Sequence, residues 1–221
     1  HRAVALLTAA GAHDDLRAVL RRECRAQDLT ASVEGLGRVH HQLPPEVRAA
    51  PEGELVAGIA VTSSDLDRAS RLLASAAARF ADAGDDDGLL CAVEHLALCA
   101  HWREDVDLLA ELWGWAERLS ALPEARGLLA IGEALTADTR GEAARVLEAL
   151  DTIEAATLAP YWRTPVAWLR ASAELALGYA DAARRNVEVA VAAAGPALRG
   201  ALSMLLVNAQ THSGDVGAAG D

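Results

Sequence analysis

Three groups of residues in this chain are of types that could do chemistry. Cys91, His95 and Cys99 recur every four residues, so on a helix they share one stripe, and thiolates and imidazoles are zinc ligands. Thiols this far apart on a straight helix are separated by about 12 Å, too far for a single ion. No metal is therefore expected, and small buried thiols are the better reading of the stripe. Arg17, Arg21 and Arg25 also follow a four-residue spacing. Three guanidinium groups on one stripe could meet an acidic ligand or a neighbouring domain. The alternative is a solvated face paired locally with Asp14, Asp15 and Glu23. Trp162 and Trp168, near Tyr161, could line a binding surface or pack into a core. There is no nucleophile elbow, no HExxH sequence and no carboxylate pair in a glycine-rich frame, and no residue is singled out as catalytic. The segment is expected to bind rather than to catalyse.

The elements that must position these residues are announced by a recurring phrase. A usually small residue is followed four positions on by a bulky apolar one and three further by another apolar one. It reads Ser32/Leu36/Val39, Ala69/Leu73/Ala76, Leu109/Trp113/Ala116, Ala143/Leu147/Leu150 and Ala183/Val187/Ala190. Successive starts lie roughly 34–40 residues apart, and a turn pair Gly178-Tyr179 returns as Gly214-Asp215. Periods in this range mark stacked helical hairpins, because one hairpin cannot bury its apolar face until a neighbour covers it. Outer helices carrying the phrase are expected at about 1–10, 30–43, 65–82, 104–120, 140–156 and 180–194. Inner helices are expected at about 13–26, 51–63, 88–101, 123–137, 164–177 and 197–212.

The punctuation agrees with that period. Pro51, Pro123, Pro165 and Pro196 stand at inner-helix starts, where a fixed φ suits the first turn and the missing N–H costs nothing. Thr164 is a plausible N-cap. Ser64-Asp65-Leu66-Asp67 and Thr139-Arg140-Gly141-Glu142 read as capping boxes, a hydroxyl taking the third helical N–H and an acid reaching back. Turns fall at Gly84-Asp85-Asp86-Asp87-Gly88, Ala194-Gly195 and Ser213-Gly214. Ala69, Ala143 and Ala183 should let each outer helix approach its inner partner closely.

Composition sets the class. An apolar fraction of 52% supplies a core, while 4% aromatic residues and no alternating β-branched run argue against a sheet. The expectation is an all-α chain of about 12–13 helices, a right-handed α-solenoid forming one domain over residues 1–221. The formal charge is −12, and all 20 basic residues are Arg. Such a surface repels a phosphate backbone, so no direct nucleic acid contact is expected, and without Lys there is no GxxxxGK[ST] phosphate loop. Three cysteines without finger spacing suit a reducing cytoplasm. No apolar run free of charge reaches membrane-spanning length and no signal peptide opens the chain. The chain starts without Met and stops at Gly220-Asp221 where a new helix is due, so it is expected to be a piece of a larger multidomain protein.

The stretch from Gly178-Tyr179 through Ala183, Val187 and Ala190 to Gly195-Pro196 is similar to the tetratricopeptide repeat. The similarity covers most of the chain, with Leu, Val and Ala replacing most consensus aromatics. Leu29 to Ala76 carries Leu43-Pro44-Pro45-Glu46-Val47, Pro51-Glu52, Ser64-Asp65-Leu66-Asp67-Arg68-Ala69 and Leu72-Leu73, and resembles the helical sensor region of MalT-like regulators. Those are bacterial ATP-binding transcription activators with a LuxR-type DNA-binding end. The family usually has Trp where Val39 or His40 stands, and a fuller apolar run at Glu54 to Ala60. The Arg-only, Ala-rich composition suits a high-GC bacterium.

The tetratricopeptide resemblance implies a concave groove lined by set positions of the inner helices. Aligned on Leu109, these are Cys91, Glu94, Leu98, His101 and Trp102; aligned on Ser32, they are Asp14, Arg17, Arg21, Cys24 and Arg25. A carboxylate, an imidazole and an indole sharing a groove could grip a sugar, a peptide or a cation; packing of His101 and Trp102 against the next hairpin is the alternative. Glu94, His101, Trp102, Trp168, Arg17, Arg21 and Arg25 are thus the candidate ligand or partner contacts. The regulator resemblance implies a cytoplasmic sensing segment that binds an inducer or regulatory protein. It holds no cofactor itself, ATP belonging to a separate domain of the parent chain. A general protein interaction scaffold is the alternative function.

Overall fold

A computed structural model describes residues 2–26, 29–103, 105–153, 159–193 and 196–212. Among them are thirteen α-helices, one 3-10 turn and no strand, so the chain is all-α. No described helix is long and apolar enough to cross a membrane. The chain divides into two compact units, His1–Ala125 and Arg126–Asp221.

The first unit holds α1 (Arg2–Ala9), α2 (His13–Ala26), α3 (Leu29–Gln42), α4 (Pro45–Arg48), α5 (Pro51–Val61), α6 (Leu66–Ala83), α7 (Asp86–Trp102) and α8 (Val106–Arg118). From α5 to α8 each helix packs on its chain neighbour; α3 packs on α5, and α5 on α7, the next helix but one. α2 packs on both α5 and α7. The division between units falls within α9 (Pro123–Thr139). In the second unit α10 (Ala143–Asp151), α11 (Arg163–Ala176), α12 (Ala180–Ala193) and α13 (Pro196–His212) also pack in succession, and α11 touches α13. The 3-10 turn Pro160–Trp162 leads into α11.

Ends are set by short polar residues rather than by hydroxyls. Asp65, Asp85 and Asp105 each accept the N–H three residues on, at 2.9, 2.9 and 3.1 Å, and so cap α6, α7 and α8. Ser64, expected as a hydroxyl cap, instead donates backwards to the Val61 carbonyl. Glu142 precedes α10 without a side-chain cap, and Thr139 donates to Thr136. Thr164 lies inside α11, whose cap position is Trp162. In these cases the helix starts one to three residues away from the register that the motif assumed. The turn pairs Ala194-Gly195, Ser213-Gly214 and Gly214-Asp215, and the tail of the outer helix expected to 156, lie wholly or partly outside the described residues.

The phrase does mark the core. Ala69, Leu73 and Ala76 are buried, as are Ala183, Val187 and Ala190. Trp113, Ala143 and Leu147 are only half-buried, Val146 taking the buried place in α10. Leu36 and Val39 are buried, and the side chain of Ser32 lies outside the described set. Close approach is visible where α5 meets α6: a Cβ on Gly58 would stand 2.8 Å from Leu73 Cγ and 3.4 Å from the Ala69 carbonyl oxygen. In the second unit Ala171, Ala183, Val187, Leu202, Leu205 and Ala209 form one cluster.

α7 departs most from expectation. Every residue from Gly88 to Ala100 is buried, so this helix has no solvated face. From Gly88 to Ala100 only Glu94 and His95 are polar, and such a nearly all-round apolar stretch is what a central helix requires. α6, α8, α2 and α5 all pack against it.

Candidate functional site

The arginine stripe of α2 is spent largely on tertiary contacts. Leu16, Leu20 and Cys24 are buried, which turns the neighbouring arginines along the contact with α5 and α7. Arg21 Nη1 donates to Glu52 Oε1 at 2.6 Å and to Asp85 Oδ2 at 2.9 Å, partners 31 and 64 residues away. Arg25 Nε lies 3.4 Å from Glu94 Oε2. His95 Nε2 is 3.1 Å from the Cys24 carbonyl oxygen; that oxygen can only accept, so Nε2 carries the proton. Arg17 differs. Its Nη1 is 3.4 Å from Asp14, whose side chain is 98% exposed, and its Nε is buried without a hydrogen-bond partner among the described residues.

These contacts decide which expected groove positions face outward. Cys91, Glu94 and Leu98 are buried, and Glu94 is turned to Arg25 rather than to open space. His101 is half-buried and Trp102 is 40% exposed. Trp168 belongs to the second unit and packs half-buried on its core cluster. Tyr161 and Trp162 are buried, so they form core rather than an exposed wall. Of the candidate contacts, the structure pairs Arg25 with Glu94 and draws Arg21 to acids the motif had not included.

The cysteine and histidine stripe is interior. Cys24, Cys91 and Cys99 are buried free thiols. Burial pushes the Cys24 thiol up to about 12, with Glu23 adding to it, and pushes Cys91 well above the usual thiol range. Cys99 is raised by burial to about 11, opposed by the Thr62 and Ser70 hydroxyls and by the Arg103 charge. Burial lowers His95 to about 4, opposed by its bond to the Cys24 carbonyl. Among the described residues no group of three His, Cys, Asp or Glu side chains is arranged to hold a metal.

A cleft of about 380 Å³ opens in the first unit beside this network. Arg17, Glu46, Pro51, Glu52, Arg79 and Asp85 line it, with Phe80 and small alanines supplying the apolar part. It lies where α5 and α7 begin and α6 ends. α5 starts at Pro51 without a side-chain cap. Arg79 Nη1 is 3.0 Å from Glu54 Oε1, and Ser75 donates to Glu54 Oε2 at 2.8 Å. Glu52 and Asp85 share Arg21. The volume falls within the range of small-molecule sites, and a lining of charged groups on an apolar floor can orient a polar ligand. Glu46, Glu52, Arg79 and Asp85 were not reached from spacing, because their convergence joins four separate elements.

No protein-family model matches the chain, and neither a curated protein nor a solved structure matches it.

Proposed function

We propose that this chain is the sensing segment of a cytoplasmic, MalT-like, ATP-dependent transcription regulator, built as a right-handed tetratricopeptide-like α-solenoid. The observation that carries the reading is the cleft at the ends of α5 and α7, two helices that the hairpin period designates as inner. Neighbour contacts from α5 to α8 and from α10 to α13, and the next-but-one contacts of α5 with α7 and of α11 with α13, support stacked hairpins, while the contact of α2 with α7 reaches across an intervening hairpin and is additional to that pattern. An inducer or regulatory protein bound at the inner helices would favour one packing of neighbouring hairpins and thereby bias the switch of the parent protein. ATP and DNA would be handled by other domains.

The test is the coding sequence on either side of the segment. A GxxxxGK[ST] module upstream and a basic helix-turn-helix downstream are expected. Flanking domains of another kind would overturn the regulator reading. A general interaction scaffold is the second reading, favoured by Val189 on α12 and Met204 on α13, which are 72% and 74% exposed. It predicts that no small molecule shifts the melting temperature of the chain.

A further inference from the structure

Charge is unevenly matched around the cleft. Of the two arginines that line it, Arg17 has Asp14 and Arg79 has Glu54, one acid to each guanidinium. Glu52 and Asp85 have one cation between them, and both reach the same atom of it. Arg21 Nη1 stands 2.6 Å from Glu52 Oε1 and 2.9 Å from Asp85 Oδ2. Two carboxylates on one guanidinium leave negative charge in excess. Both oxygens of Asp85 are engaged, since Oδ1 takes the Gly88 N–H at 2.9 Å. Glu52 Oε2, by contrast, accepts no hydrogen bond among the described residues. The Glu52 side chain lines the cleft and is only 5% exposed, yet Oε2, unlike the Arg17 Nε, is not sealed off from the surface. A carboxylate oxygen held largely out of water without a donor is costly, and an occupant that brings it a charged N–H is favoured accordingly.

From this arrangement we infer that the cleft binds a primary ammonium group on a short aliphatic body, with Glu52 Oε2 accepting its N–H. An anion would enter beside the excess negative charge and leave Oε2 without a donor. An alcohol can donate to Oε2 but leaves the charge unbalanced, and a quaternary ammonium balances the charge but has no N–H to give. A metal ion is not provided for, since among the described residues no three His, Cys, Asp or Glu side chains are arranged to hold one. The alanines and Phe80 of the lining accept a methylene chain. About 380 Å³ suits a ligand of that size. The inference deepens the sensor reading by naming a ligand class, and rests on it only in treating the cleft as the sensing site.

The experiment titrates the 221-residue chain calorimetrically with n-propylamine, n-butylamine and n-pentylamine at neutral pH, where each is protonated. At least one is expected to bind, with the alcohol of the same length and the N,N,N-trimethyl derivative each weaker by about tenfold or more. Glu52→Gln should weaken the amine to a similar degree. It leaves Arg21 paired with Asp85, so the variant should fold, and circular dichroism checks that it does. Arg21→Met should act in the opposite direction. The two carboxylates lose their shared cation, so the amine should bind more tightly than to the parent and raise the melting temperature of this variant further. Arg17→Gln removes a like charge from the lining and should bind the amine no more weakly than the parent does. Equal binding of the alcohol, unchanged binding in Glu52→Gln, weaker binding in a folded Arg21→Met or Arg17→Gln, or no binding by any of the amines would overturn the inference. The two proposals fail separately. Amine binding without regulator modules in the flanking sequence removes the regulator alone, and those modules without amine binding remove the ligand assignment alone.

Discussion

Replacing Arg21 by Met tests whether the long-range ion network holds α2 in place. The substitution keeps the apolar stem and removes the donor that reaches Glu52 at 2.6 Å and Asp85 at 2.9 Å. Breaking a fully buried pair costs about 3–5 kcal/mol, because one charge is left without compensation. Here the Glu52 side chain is only 5% exposed, whereas Arg21 and Asp85 are 29% and 28% exposed. Solvent screens part of the network, so the expected loss is about 2–3 kcal/mol. In a chain of this size that corresponds to a fall in melting temperature on the order of 5–10 °C. Urea and thermal unfolding followed by far-ultraviolet circular dichroism measure it. Adding Glu52→Gln should recover about 1 kcal/mol or more, since it removes the stranded buried charge. A single variant within about 0.5 kcal/mol of the parent would refute the reasoning. So would a Glu52→Gln change that deepens the loss.

Three further outcomes follow from the same structure. His95 is held neutral, with its folded value lowered to about 4 from 6.5. The unfolded chain therefore takes up a proton that the folded chain refuses; stability is full above pH 6.5 and declines towards pH 4, by at most about 3 kcal/mol. His95→Gln should flatten that slope in unfolding measured across this range, and an unchanged slope would exclude His95 as its source. A Cβ on Gly53 would stand 2.2 Å from the Arg48 carbonyl oxygen, whereas Gly114 has nothing within 4 Å. Gly53→Ala should destabilise by about 1–3 kcal/mol and Gly114→Ala should stabilise by about 0.5–1 kcal/mol; equal urea midpoints for the pair would contradict the packing. The raised, buried thiols should react with a thiol reagent at neutral pH only on unfolding, and fast labelling of the native chain would count against their burial.

Much of the fold was legible along the chain. The outer helix expected at 65–82 is α6 at Leu66–Ala83, and the inner one at 164–177 is α11 at Arg163–Ala176. Apolar periodicity and proline at helix starts are local signals, because they depend on residues within a turn or two of each other. Caps were harder. An acid and a hydroxyl side by side, as at Ser64-Asp65, compete for the same N–H, and the register that decides between them depends on how the preceding helix ends. The short α4 was not foreseen either, since four residues carry no period.

The site was much less legible. Arg17, Arg21 and Arg25 read as one equivalent stripe, yet Arg21 and Arg25 are occupied by carboxylates of α5, α7 and its cap, while Arg17 keeps to Asp14 of its own helix. Glu94 read as a groove residue and is interior, because α2 lies over it. By itself the sequence determined that the chain is helical, where most helices run, and which alanines and leucines of α6 and α12 make the core, though not those of α10, where Ala143 and Leu147 are half-buried and Val146 is buried; those properties follow from short-range periodicity. Only the tertiary structure decided that α7 is enclosed on all sides, which charges cancel, and that Glu52 and Asp85 share one guanidinium beside a cleft. Pairings across 31, 64 and 69 residues depend on how whole helices dock, and no local spacing encodes them.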